Sequence, residues 1–324
     1  MGRANAAYYA NHDPFRDFTT APEITQVFGE LLGAWAAIVW DQIGRPDRVL
    51  FAECGPGRGT LMQDARRATQ RVAPAFHRAA CVRLIETSPR LRAQQAQRVP
   101  DATWHDRVEQ LPDGPLILLA NEFLDALPIR QFVGSGADWT ERWVKDGAFE
   151  EAPAAPPCGW GRGEVPAPCT GPEIHEVNEA AEQWARHVSA RLVAQGGVAL
   201  VLDYGPARSG TGSTLQALKG GRPADPLSSP GDADLTAHVD FERLATVARA
   251  AGAGVHGPLQ QGPFLARLGL FQRTGALARS QAPARAAALI HAAQRLAEPD
   301  RMGGLFKAMA VCQPGLSSLP GFEP

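Results

Sequence analysis

The sequence predicts an α/β fold in which helices wrap a parallel sheet, and three observations carry that prediction. Short apolar runs recur along the chain at the length of buried strands. Segments with apolar residues at helical spacing separate them. A glycine-rich turn stands where the first run passes into a helix.

The elements follow in order. Pro22 and Glu23 open a helical stretch in which Ile24, Val27, Phe28, Leu31, Leu32, Trp35, Ile38 and Val39 recur every three or four residues, and Gly44 supplies a stop. Val49 to Cys54 reads as a buried strand, and the turn from Gly55 to Gly59 leads into a helix from Thr60 to Arg71. Cys81 to Ile85 is a second strand with Glu86 at its C-terminal end. An Arg-, Gln- and Ala-rich helix follows, and Leu116 to Ala120 is a further short strand. Gln131 to Phe149 alternates like a hairpin with Trp139 and Trp143 as packing anchors, and Glu151 to Pro172 reads as an irregular loop. A helix through Ile174, Val177, Ala181, Trp184, Val188 and Leu192 precedes a strand from Val198 to Leu202. Gly205 to Asp234 is rich in Gly, Pro and Ser and too long for a mere connector. Phe241 to Ala251 is helical, a helical block fills much of Leu265 to Ala297, and Leu305 to Cys312 returns as a closing strand. The tail after Pro314 is expected to fray. These segments partition one domain into an N-terminal helix and lid (17–44), a first half (47–130), a hairpin and loop insertion (131–172), a second half with a helical insertion (173–314) and a tail (315–324).

Composition excludes several classes. The 324 residues carry 32 basic and 34 acidic side chains, a formal charge of −2, so neither nucleic acid nor an acidic lipid surface is a default partner. Lys145, Lys219 and Lys307 are the only lysines, and none follows a glycine run as a phosphate loop requires. Cys54, Cys81, Cys158, Cys169 and Cys312 are odd in number and never spaced Cys-x-x-Cys, which predicts no metal site and no disulfide framework. The longest nearly unbroken apolar run, Leu31 to Trp40, is about half a membrane span. Met1 to Asn11 has no signal pattern, so the chain reads as cytoplasmic, with no membrane insertion.

The strongest chemical signal is Glu53-Cys54-Gly55-Pro56-Gly57-Arg58-Gly59-Thr60. At a strand-to-helix junction the free amides and the helix dipole favour an anionic or polar ligand, and glycines let it approach the main chain. The dinucleotide fingerprint requires Gly-x-Gly-x-x-Gly; the spacing here is Gly-x-Gly-x-Gly. An acid two residues before the first glycine is instead the habit of S-adenosylmethionine (SAM) methyltransferases, where it faces the methionine end of the cofactor. Glu86, closing the next strand, can accept both ribose hydroxyls at once. Alone, the turn fits a tight helix start equally well; strand, acid, turn, helix and second acid together favour the cofactor.

Beyond the turn, longer motifs are present: Asp17-Phe18-Thr19-Thr20-Ala21-Pro22-Glu23-Ile24, Gln26-Val27-Phe28-Gly29-Glu30, Asn121-Glu122-Phe123-Leu124-Asp125-Ala126-Leu127-Pro128, Asp203-Tyr204-Gly205, Asp234 to Phe241, and Met302-Gly303. Through them the chain resembles the MidA-like SAM-dependent methyltransferase family from about Tyr8 to Val311. Members include a mitochondrial complex I assembly factor that methylates an arginine of a complex I subunit. The resemblance implies a seven-stranded, mostly parallel class I methyltransferase sheet of Rossmann-like form, with a hairpin insertion and a helical C-terminal block. It implies SAM as donor, S-adenosylhomocysteine (SAH) as product, and a protein-arginine acceptor on a protein client such as a complex I subunit homologue. It also implies a longer N-terminal segment than the one beginning at Met1. Arg16 stands where the family usually has Gly, and Ala21 where Ser is usual.

On this resemblance, Glu53, Gly55, Pro56, Gly57, Gly59, Thr60, Glu86 and Asp106 hold the cofactor, with Asp106 at the adenine. Asn121, Glu122 and Asp125 follow the strand nearest the methyl and are the catalytic candidates, Glu122 first. Asp17, Thr20 and Glu23 come from the segment over the site, and Tyr204 borders the substrate channel. Each has a structural alternative. Glu122 suits a helix N-terminus, Asp125 a turn, and Asp17 and Thr20 a cap on the helix near Pro22; Tyr204 suits simple packing. His238 and Asp240 read as capping or packing residues. Two other functions stay open at this point: a noncatalytic SAM-binding assembly factor, and a nicotinamide-dependent oxidoreductase.

Overall fold

The structure is a computed structural model that describes residues 1–12, 19–135, 138–156 and 173–323. The chain begins with helices α1 (Gly2–Asn11), α2 (Ala21–Ile24) and α3 (Gln26–Gln42). Strand β1 (Val49–Cys54) leads to α4 (Thr60–Val72) and α5 (Pro74–Ala79), then β2 (Ala80–Ile85), α6 (Pro89–Arg98), β3 (Thr103–His105) and β4 (Leu116–Asn121). An insertion of β5 (Arg130–Ser135), β6 (Asp138–Lys145), β7 (Ala148–Pro153) and β8 (Glu173–Val177) precedes α7 (Glu179–Gln195) and β9 (Gly197–Tyr204). A second insertion holds β10 (Gln216–Lys219), β11 (Arg222–Ala224) and β12 (Asp234–Thr236). Then come α8 (Phe241–Ala250), β13 (Gly254–Gln260), α9 (Gln261–Arg267), α10 (Leu270–Ala278), α11 (Pro283–Ala297), α12 (Met302–Leu305) and β14 (Phe306–Cys312).

The main sheet has seven strands in the order β13-β14-β9-β4-β1-β2-β3. Its pairs are parallel except at β14, which runs against both β9 and β13. This is the mostly parallel seven-stranded sheet that the resemblance implied. Successive strand residues face opposite sides. Val49 and Phe51 pack with α3, α4 and the C-terminal helices, while Leu50, Ala52 and Cys54 pack with α7 and α8. Strand order reverses between β1 and β4, and such a switch point opens a crevice at the strands' C-terminal ends. Gly29 and Gly33 let α3 lie directly on α4: a Cβ on Gly33 would stand 2.6 Å from the Ala65 carbonyl oxygen.

Four sequence expectations need correction. The helix through Pro22 is broken at Thr25, whose extended backbone (φ −157°, ψ 138°) lets its hydroxyl accept from the Val27 amide and restart the helix as α3. Ile174 and Val177 belong to β8, paired with β5, and helix α7 starts only after Asn178, whose side chain accepts from Ala181 N. The spacing of three between those apolar residues mimicked a helical period across a strand end. Trp139 is buried against His175 as expected, but Trp143 lies beyond the last β5–β6 pair and is 55% exposed. The hairpin is itself one part of a four-stranded antiparallel sheet, β7-β6-β5-β8. The tail does not fray: Leu319 is buried, the Trp35 indole donates to the Pro320 carbonyl (3.1 Å), and Phe322 packs on Phe264. The expected loop to Pro172, with Cys158 and Cys169, lies largely outside the described residues.

Candidate active site

The turn after β1 is built as its glycines require. Gly55, Gly57 and Gly59 stand at φ 60°, 53° and 82°, a region where side chains with a Cβ are strained. A Cβ on Gly55 would also press on the Phe123 ring at 3.0 Å. Gln95, fully buried on α6, ties the turn to the next strand. Its amide donates to the Gly57 carbonyl (2.8 Å) and to Glu86 Oε2 (3.3 Å), while its oxygen accepts from the Trp104 indole. The Thr60 hydroxyl, at the start of α4, donates to Glu23 Oε1 at 2.5 Å, and the Arg58 guanidinium lies 4.0 Å from Glu23. Two expected groups, the glycine turn and the N-terminal segment, therefore meet here.

Glu53 ends β1 inside the protein. Burial pushes its carboxyl up to about 8, opposed by a bond from the Met62 amide, and its Oε2 has no partner among the described residues. Glu86 accepts from the Ser88 amide (2.7 Å) as well as from Gln95; burial raises it, and these donors act against that. Asp106 borders the same cavity, with its carboxylate paired to Arg92 at 2.6 Å.

Asn121 and Glu122 close β4. Glu122 has φ 49°, a left-handed conformation rare outside glycine, and its Oε1 accepts from the Ala21 amide (2.8 Å) and the Asn121 amide (3.1 Å). Burial brings Glu122 to about 7; those two donors lower it, nearby Asp203 raises it and Arg295 lowers it. The Glu122 alternative, an acid balancing a helix N-terminus, does not hold, because a turn and not a helix follows β4. Asp125 and Tyr204 are placed differently from the rest. Neither lines the cavity; Asp125 is buried behind its wall beside Asp203, Asp234 and Tyr204, and burial and those acids raise it well above the carboxylate range. The Tyr204 ring packs on His238 and Phe306. Asp17, like Arg16, lies outside the described residues, whereas Thr20 and Glu23 line the cavity.

Sequence reasoning missed a whole wall. Helix α1 contributes Asn5, Ala6, Tyr9 and Ala10 to the cavity. The Asn5 amide donates to Ala126 O and Leu235 O, the Tyr9 hydroxyl to Asp234 Oδ1 (2.8 Å), and Ser88 Oγ to Tyr9 O. The opposite wall carries Phe123 and Trp184, whose rings lie 6.3 Å apart. Only paired tyrosines and a small-residue run marked α1, and neither pattern points to a site.

Together these residues enclose a cavity of about 730 Å³ at the C-terminal ends of β1, β2 and β4. Glu53 Oε2 and Asn121 Oδ1 are buried oxygens without a partner among the described residues, open to donors from a ligand. Glu86 offers a carboxylate suited to a diol, and the glycine turn offers close main-chain approach. The set fits a nucleoside whose tail carries positive charge, as SAM does.

Comparison with known proteins agrees. Residues 31–259 match the family described as "Putative S-adenosyl-L-methionine-dependent methyltransferase". The chain belongs to this family. It is thus a SAM-dependent methyltransferase by family, and the nicotinamide alternative falls away. Among curated relatives, the Drosophila melanogaster protein named protein arginine methyltransferase NDUFAF7 homolog, mitochondrial, is 34% identical over 94% of this chain and 78% of its own. The Danio rerio protein of the corresponding name is 32% identical, covering 94% and 79%. A methyltransferase-like protein from Burkholderia thailandensis, crystallised with SAH, superposes with a TM-score of 0.76 at 25% identity, covering 94% of this chain and 81% of that one. Among the described residues, no helix of this methyltransferase is long and apolar enough to cross a membrane.

Proposed function

We propose that this methyltransferase transfers a methyl group to an arginine side chain of a protein client, with Glu122 as the group that holds the guanidinium and takes its proton. The observation that carries this reading is the Glu122 carboxylate on the cavity wall at the end of β4, fixed through one oxygen and poised near neutrality at about 7. The names of the curated relatives support the acceptor class.

When bound, SAM supplies an electrophilic methyl on a sulfonium: its S–CH₃ bond breaks as the N–CH₃ bond forms, leaving neutral SAH. Glu53 suits the charged methionine end, Glu86 the ribose, and the Gly55–Gly59 turn the tail. Asp106 and the neighbouring Val108 border the end suited to the adenine. An arginine, charged up to a pH above about 12, is a poor nucleophile until its charge is drawn from the attacking nitrogen. An ionised Glu122 does so by accepting from the other guanidinium N–H groups. A carboxyl near 7 can then accept the proton that the methylated nitrogen releases, and pass it on at neutral pH. Asn121 steadies Glu122. Asp125 stands behind the wall and serves this step only from there. Thr20 and Glu23 belong to the cover over the site.

Labelled SAM and arginine-bearing clients test this, a homologue of the complex I subunit being the first to try. Label recovered as methylarginine, lost in Glu122→Gln while SAH binding persists, is the expected result. Label in another product, or full transfer by Glu122→Gln, would overturn the assignment. The free thiols Cys54, Cys81 and Cys312 suit a reducing compartment, and a cytoplasmic setting is part of this proposal, although the relatives are named as mitochondrial.

A further inference from the structure

Glu122 can act only if the turn that carries it is fixed, and the end of β9 supplies the fixing group. Asp203 is fully buried, one residue before that strand ends. Its Oδ2 accepts from the amides of Phe123 (3.1 Å), Leu124 (2.9 Å) and Asp125 (3.3 Å), and its Oδ1 from Tyr204 N (2.9 Å). The Glu122 amide itself donates to Leu202 O at 2.8 Å. Four successive amides of the turn after β4 therefore point at the last residues of β9. Converging amides of this kind form a concave anion site. Here the anion is the protein's own, and the left-handed Glu122 stands at the mouth of the turn it organises. Asp203 does not line the cavity, so it touches neither cofactor nor acceptor.

We propose that Asp203 is a positioning residue for methyl transfer, gathering the Phe123–Asp125 amides so that the Glu122 carboxylate stays on the cavity wall. This rests on the reading of Glu122 as the acceptor of the guanidinium proton. The same contact has an electrostatic side. Burial raises both Asp203 and Asp125, and Asp203 raises its neighbour further, which favours one negative charge and one proton shared between them. Asp203 has four N–H donors, whereas Asp125 has the Tyr204 hydroxyl as a donor and none on Oδ1 among the described residues. Such donors favour the ionised form, so the charge sits on Asp203 and the proton on Asp125. That charge raises Glu122, while Ala21 N–H, the Asn121 amide and Arg295 lower it. Asp234, bonded by Tyr9, raises Asp125, and the Tyr204 hydroxyl bond lowers it.

Carbon-13 NMR of carboxyl-labelled glutamate in the SAH-loaded protein reads this without any acceptor, the Glu122 signal being identified by its loss in Glu122→Gln. Asp203→Asn is expected to lower the Glu122 midpoint by about one pH unit, as removal of a close like charge does. SAH affinity should change by less than about twofold, because Asp203 lies outside the cavity; turnover should fall by about tenfold or more with little change in the KM for SAM. Asp125→Asn replaces one neutral group with another and should leave the midpoint where it is. A role confined to general stability would reduce melting temperature and SAH affinity together and leave the midpoint unmoved. An unmoved midpoint in Asp203→Asn overturns the proposal, as does a fall in Asp125→Asn. If Asp203→Asn does not fold, Asp125→Asn alone decides. Absence of methylarginine from the wild-type assay strikes the acceptor reading, whereas this titration addresses Asp203.

Discussion

A carboxyl that burial pushes up to about 8 must cost stability wherever it is forced to ionise, and Glu53 is such a group. Its ordinary value is 4.5, so the folded protein holds its proton more tightly than the unfolded chain does. Between those two values the folded state binds more protons, and stability falls as pH rises. Each unit of pH in that window is worth about 1.36 kcal/mol, so from pH 4.5 to 7 the ligand-free protein loses about 3 kcal/mol through Glu53 alone. Glu53→Gln places a neutral amide in the pocket at every pH and removes this loss. Thermal or urea unfolding of both proteins, followed from pH 4.5 to 7 without ligand, should therefore show the variant gaining about 3 kcal/mol relative to wild type. Taking the difference cancels Asp64, Glu122 and Asp203, which shift in the same direction. With SAM present the order reverses, because a cationic ligand needs the ionised carboxylate. A stability difference that stays flat across this pH range would refute the reasoning, for Glu53 would then keep its charge by some contact other than a ligand's.

Two further outcomes follow from the same geometry. Gly33→Ala drives a methyl to 2.6 Å from the Ala65 carbonyl oxygen, which is backbone and cannot turn aside, so unfolding should show a loss of about 1–3 kcal/mol, with SAH affinity little changed. Glu86→Ala removes the acceptor held by Ser88 N–H and Gln95, and calorimetry should show SAH binding weakened by about ten- to a hundredfold, as loss of charge-assisted bonds implies.

The parts of the fold that were legible in the sequence are those where one physical requirement dominates. β1, β4 and β9 are buried on both faces and read as nearly continuous apolar runs. The turn after β1 demands glycine at three positive-φ positions, and it is visible for that reason. β13 was missed because Gly254, Gly257 and Pro258 look like turn residues, and its register shifts between His256 and Leu259. β3 has three residues and no pattern to detect. The tail was misjudged because its hold is tertiary: Trp35 and Phe264 lie far away in sequence. In the site, Glu53, Glu86 and Glu122 could be named from their places at strand ends. Asn5 and Tyr9 could not, since their side-chain partners lie 121 to 230 residues away, nor could Gln95, which joins Gly57, 38 residues back, to Glu86 and Trp104.

The acids of this site divide by what surrounds them, and the division explains why so many are buried together. Asp203 has four amide donors and serves as an anion for the protein itself. Glu86 has two donors and keeps room for a ligand's hydroxyls. Glu53 keeps one oxygen without a partner among the described residues and Glu122 takes its two donors on Oε1 alone, and burial brings both toward neutrality. A donor-poor acid is a poor building block, because its ionised form is costly until something cationic arrives. With the proposed arginine acceptor that cost is useful at two places, since both reactants are then cations and the reaction releases a proton. In that proposal Glu53 meets the positive cofactor and Glu122 takes the departing proton. Of the acids on the cavity wall, Glu53 therefore leaves an oxygen open to a ligand, while the best satisfied, Asp203, stands behind the wall and holds the turn that carries Glu122.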